Sequence, residues 1–129
     1  MSDHINEELL MSATAMLCEN TSEIPDDYLE RAPFILGQFY LQHEELDERI
    51  RKAYGLKKDY AIGSVLSYLE ENFMFVPQLV ASAVYYLAAM LVMDENEELG
   101  EKFFALYADE ISRVEASIPF LKEKTKEVY

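Results

Sequence analysis

Pro77-Gln78-Leu79-Val80-Ala81-Ser82-Ala83-Val84-Tyr85-Tyr86-Leu87-Ala88-Ala89-Met90-Leu91-Val92-Met93 is apolar on nearly every side of a helical wheel. A helix of that kind is either a membrane span or the central, buried helix of a globular domain. Gln78, Ser82 and the two central tyrosines are poor lipid-facing residues, and no basic residue flanks the run closely enough to orient a span. The stretch therefore predicts a central helix over 77–93, opened by Pro77 at the first helical position. A helix with no polar face needs neighbours on all sides, so the rest of the chain should wrap it.

Helical spacing on either side supplies those neighbours. Downstream, Leu99, Phe103, Leu106, Tyr107, Ile111, Val114 and Ile118 mark a stripe over 97–118, with Asn96 as N-cap and Glu97 and Glu98 in the first turn. Upstream, Tyr28, Leu29, Ala32, Ile35, Leu36, Phe39, Leu46, Ile50 and Tyr54 mark a long helix over 26–54. Pro33 should kink it or divide it, and Gly55 suits the left-handed position that ends it. A first helix over 3–18 follows from Ile5, Leu9, Leu10, Ala13, Met16 and Leu17. The expected architecture is a single all-α domain, residues 1–129, of four main helices. Leu56–Phe75 forms a long connection containing one helical turn, and 119–129 a frayed tail.

At 129 residues the chain holds one core rather than two, and with half its residues hydrophobic it is not a disordered chain. Twenty-five acids against 11 bases leave a net charge of −14, which excludes a general basic face for nucleic acid. The charge is uneven. Residues 1–48 carry twelve acids and one base, and 59–121 carry eleven acids and two bases, whereas 49–58 carry five bases and no acid. Several bases follow an acid by four residues: Glu45–Arg49, Asp47–Arg51, Glu48–Lys52, Glu98–Lys102 and Asp109–Arg113. These pairs support the helices they lie on. Arg49, Arg51, Lys52, Lys57 and Lys58 are nonetheless the one basic cluster and a candidate patch for a protein partner. The acidic start is unlike a signal peptide. Cys18, the lone cysteine, reads as a small buried hydrophobe in a reducing, cytoplasmic setting.

Candidate chemistry is sparse. His43-Glu44-Glu45 lacks the second histidine that a zinc-protease helix places four residues on, since Asp47 stands there, so His43 reads as a surface histidine. Asp94-Glu95-Asn96-Glu97-Glu98 lacks the alternation and the glycine of a calcium loop. No nucleophile elbow or phosphate loop occurs, and no cofactor or metal is expected. The aromatic density says more. Phe34, Phe73, Phe75, Tyr85, Tyr86 and Phe104 exceed one buried stripe per helix, which makes them candidates for a subunit interface.

Val76-Pro77, Tyr85-Tyr86-Leu87-Ala88-Ala89-Met90-Leu91, Asp94-Glu95-Asn96-Glu97-Glu98-Leu99, Phe103-Phe104 and Tyr107 resemble the small helical head–tail connector, or adaptor, proteins of tailed bacteriophages and prophages. The stretch Tyr28-Leu29-Glu30-Arg31-Ala32-Pro33-Phe34-Ile35-Leu36, running on to Gly55, is similar to the same group, so the resemblance spans roughly residues 25–115. It implies a non-enzymatic virion structural protein that assembles as a homo-oligomeric ring between portal and tail components. Such a protein needs no sequence-specific nucleic-acid contact and no membrane, and it is located in the virion after synthesis in the cytoplasm. In such a ring, Leu56–Phe75 and the chain ends would reach to partner rings. Asp94, Glu95, Glu97 and Glu98 could line a negative lumen through which DNA passes without sticking. An acidic protein-binding or DNA-mimic regulator is the competing expectation.

Overall fold

The apolar helix is the axis of the molecule. In the computed structural model, which describes residues 4–17 and 23–118, the helices run α1 (Asn6–Leu17), α2 (Asp26–Ala53), α3 (Val80–Val92) and α4 (Glu97–Ala116). The expectations for Cys18 and for the tail beyond residue 118 lie outside the described residues. α3 packs against α1, α2 and α4. Nine of its thirteen residues are buried, which accounts for its lack of a polar face. No helix among the described residues is long and apolar enough to cross a membrane.

Side-chain contacts set the directions. Arg31, near the start of α2, meets the last turn of α3, and Asp47, near the end of α2, meets Val76 just before α3. α3 therefore runs antiparallel to α2. Tyr107 and Glu115 of α4 meet His43 and Arg49 of α2 in the same order, so α4 runs parallel to α2. The core joins Leu9 and Leu10 of α1, Leu36, Phe39 and Tyr40 of α2, Phe75 and Leu79 before α3, and Leu87 and Leu91 within it.

Local chemistry fixes each helix end. Pro77 opens not the α-helix itself but one 3-10 turn, Pro77–Leu79, a common lead-in to an α-helix. α3 has no basic residue in its last turn. Arg31 crosses from α2 instead, donating from Nη2 to the Met90 carbonyl at 2.8 Å and from Nη1 to that of Leu91 at 3.1 Å. These orphan carbonyls carry the negative end of the helix dipole. Arg31→Met should cost about 1–2 kcal/mol in thermal unfolding followed by circular dichroism, and Arg31→Lys less. At the start of α4, the Asn96 side chain accepts from the Leu99 amide at 3.1 Å, as an N-cap should.

α2 passes unbroken through Pro33. The proline removes one intrahelical bond, but Ala32, Ile35 and Leu36 are buried around it, and this packing holds the helix together. Gly55, with φ of 70°, terminates it. Leu56 donates to the Arg51 carbonyl at 2.7 Å and Gly55 to that of Lys52 at 3.3 Å, the paired bonds of a Schellman motif. Gly55→Ala would place a Cβ in the left-handed region. The expected loss is about 1 kcal/mol in a urea titration, although the site itself is open.

Between Gly55 and Pro77 there is no helical turn, contrary to expectation, only a turn at Tyr68–Glu71 and an isolated antiparallel bridge, Ile5 to Asn72. The helical spacing over 67–73 loses to bonds with the start of α1. Asn6 and Glu7 amides donate to the Glu71 and Leu69 carbonyls, and Phe73 donates to His4. The segment is a strap over α1 and α2. Its backbone passes close over Gly37 of α2, where a Cβ would sit 1.7 Å from the Val65 carbonyl oxygen. Next to it the Ser67 amide donates to the Pro33 carbonyl at 3.0 Å.

Candidate interaction surfaces

A buried polar cluster centres on Asp47, fully buried on α2. Its Oδ2 accepts from Arg51 Nε at 2.8 Å and from the Tyr60 hydroxyl at 2.7 Å, and its Oδ1 accepts from the Val76 amide at 2.8 Å. Arg51 spends its remaining donors on the Lys57 and Met74 carbonyls, both at 2.8 Å, and on Asp59 at 3.1 Å. Its guanidinium also lies over the Tyr60 ring. Burial, followed by the bond to Asp47, pushes the Tyr60 phenol well above its usual range, so it stays a donor. Every partner except Asp47 itself belongs to the strap, so the cluster ties the strap to α2. A second knot does the same at Asn6. Its side chain donates to Ser67 Oγ and the Tyr68 carbonyl and accepts from the Tyr40 hydroxyl at 2.8 Å.

This arrangement revises the basic patch. Arg51 is buried and belongs to the fold. Arg49 reaches not Glu45 but Glu115 of α4 at 3.1 Å, and Lys58 draws Glu44 and Glu48 to itself at 2.6 and 2.8 Å. Tertiary neighbours outcompete the i,i+4 partners, and only Asp47–Arg51 of the three expected pairs forms. On α4, Arg113 pairs with Glu110 rather than with Asp109. Lys52 and Lys57 are exposed and make no ion pair among the described residues.

The aromatic candidates also divide. Phe73, Phe75 and Tyr86 are buried core residues, not interface residues: Phe73 and Phe75 pack on Tyr40, and Tyr86 on Phe39 and Tyr107. They fill the space where the strap meets α2 and where α3 meets α4, a second layer that spacing along one helix does not reveal. Tyr85 is half-buried, while Phe34 is 56% and Phe104 is 41% exposed. Leu106, expected in the buried stripe of α4, is exposed as well. The buried line of α4 is narrow, at Gly100, Tyr107 and Val114, a spacing of seven residues that keeps one edge of the helix on its neighbours.

His43 is not a surface histidine. It is half-buried between α2 and α4, packs on Phe39, and its Nε2 shares a 2.5 Å hydrogen bond with the Tyr107 hydroxyl. Burial lowers its pKa, and burial likewise pushes the Tyr107 phenol up to about 12, with Tyr86 adding to the shift. The unfolded chain thus takes up a proton near pH 6.5 that the folded chain resists. Stability should be complete above that pH and fall as the pH drops from about 7 to 5. His43→Gln should flatten that part of a thermal-stability profile against pH.

Asp94, Glu95, Glu97 and Glu98 are all exposed at one end of the molecule, where α3 hands over to α4. Arg31 lies 3.9 Å from Asp94. Among the described residues no group of three or more His, Cys, Asp or Glu is placed to hold a metal ion. A groove of about 280 Å³ between α1 and α3 is lined by His4, Glu8, Leu9, Met11, Ser12, Val80 and Val84.

The fold and these surfaces define a small all-α domain built on one central helix, with its polar knots serving the strap and exposed apolar side chains on α1, α2, α4 and the strap. Comparison with known proteins finds no matching family model, no matching curated relative and no matching solved structure.

Proposed function

We propose that the chain is a non-enzymatic structural subunit that acts by homo-oligomeric assembly, in the setting its sequence resembles: the head–tail connector of a tailed phage or prophage, between portal and tail components. The observation that supports this reading is the exposure of large apolar side chains on well-ordered helices. Phe34 and Leu41 on α2 and Phe104 and Leu106 on α4 are all more than a third exposed. Exposed apolar side chains on rigid elements mark association surfaces. The polar knots that could have been sites of chemistry have their hydrogen bonds committed to the strap. The strap is held to its own chain by those bonds, so partner contacts fall to the helix faces and ends.

Light scattering of the purified chain across a concentration series, alone and with portal protein, tests the reading. A defined oligomer, or one formed on adding portal protein, is the expected result. A strict monomer at high concentration with portal protein present would overturn it.

A further inference from the structure

The two ends of α2 carry opposite surfaces. At its C-terminal end the Schellman turn leaves Tyr54 55% and Leu56 47% exposed. In this motif the residue after the glycine ordinarily packs on an apolar residue one turn back in the helix. Here Arg51, one of the residues at that level, is drawn into the Asp47 cluster, and Leu56 stays half-exposed at the tip. Lys52 and Lys57 flank the turn, exposed and without an ion pair among the described residues. The tip is therefore apolar, basic and fixed in shape by its own hydrogen bonds.

The other end is its complement. Arg31 fixes the end of α3 against α2 and lies beside Asp94. Exposed Glu95, Glu97 and Glu98 follow Asp94, and one turn on from Arg31 stands the exposed ring of Phe34. At about 1.5 Å per residue, the stretch of α2 from Arg31 to Lys52 holds the two surfaces roughly 30 Å apart. They cannot meet within one molecule.

We infer that the occupant of the tip is a second copy of this chain: Tyr54 and Leu56 seat against Phe34 of the next copy while Lys52 and Lys57 face its Asp94–Glu98 carboxylates. Such a contact is heterologous, joining unlike patches, and repeats into a ring when its rotation closes. It rests on the assembly reading above and gives that assembly a polarity. It also places Asp94–Glu98 at a subunit contact instead of a lumen. With a net charge of −14, whole copies repel one another. Self-association should therefore strengthen as salt rises to about 0.15 M, where the Debye length is about 8 Å, and weaken again near 1 M as the local pairs are screened.

Two full-length variants, K52E/K57E and D94K/E98K, test this by sedimentation equilibrium, with circular dichroism confirming that each is folded. Each alone should self-associate roughly tenfold or more weakly than the native chain. Mixed in equal amounts they should assemble again, because an acidic tip then meets a basic end and a basic tip an acidic end. Native oligomers unchanged by either double substitution, or oligomers lost only with Leu41→Ser or Phe104→Ser, would overturn the head-to-tail contact and leave the homo-oligomer reading standing. A native chain that stays monomeric, even with portal protein added, would remove both. Loss of assembly in both variants without recovery on mixing would also overturn the pairing.

Discussion

Asp47→Ala is expected to be the most damaging single substitution among the described residues, lowering unfolding free energy by about 3–5 kcal/mol. The carboxylate is fully buried and balances the charge of Arg51, a residue only 7% exposed. Removing it strands that charge and also leaves the Val76 amide and the Tyr60 hydroxyl without their acceptor. A domain of ordinary stability has about 5–15 kcal/mol in all, so the loss should be visible as a large drop in the urea midpoint. Asp59→Ala is the contrast. Asp59 also meets Arg51, but its side chain is half-exposed, and its loss should cost less than about 1 kcal/mol. Equal effects from the two substitutions would show that burial of the cluster contributes nothing.

Gly37→Ala should destabilise by about 2–3 kcal/mol, although alanine in place of glycine inside a helix ordinarily stabilises by about 1 kcal/mol. The added Cβ would sit 1.7 Å from the Val65 oxygen and 2.5 Å from its carbonyl carbon. These are backbone atoms, which cannot swing aside as the end of a side chain can, so the strap must lift. Hydrogen exchange should register this locally. The Ser67 amide, which donates to the Pro33 carbonyl, should lose protection, while α4 amides keep theirs. Gly63→Ala is the control, since a Cβ there meets nothing within 4 Å. A Gly37→Ala chain as stable as the native one, with Ser67 still protected, would mean that the strap does not depend on this approach.

The helices were legible because apolar period and end signals are local. Asn96 caps α4 and Gly55 closes α2 where their residue types put them, and the apolar run from Val80 to Val92 is buried as its composition requires. The strap was not legible. Its bonds join Asn6 to Ser67 and Asp47 to Val76, and nothing in the local pattern around either partner signals the other. The Asp47–Arg51 spacing pointed to a surface helix pair; only burial turned it into the cluster that holds the strap. Gly37 carried no motif at all, since its reason for being glycine lies in a backbone remote in sequence.

The candidate interface followed the same division. Six aromatic residues were marked by density alone, and packing took Phe73, Phe75 and Tyr86 into the core while leaving Phe34 and Phe104 at the surface. The basic cluster lost Arg51 to the interior, Arg49 to Glu115 of α4 and Lys58 to Glu44 and Glu48 of α2, leaving Lys52 and Lys57. By itself the sequence determined an all-α chain around one apolar helix, because side-chain period and capping act over a few residues. Which of its surplus rings and charges face outward was decided only when helices and strap came together, because burial depends on neighbours that are close in space and distant along the chain.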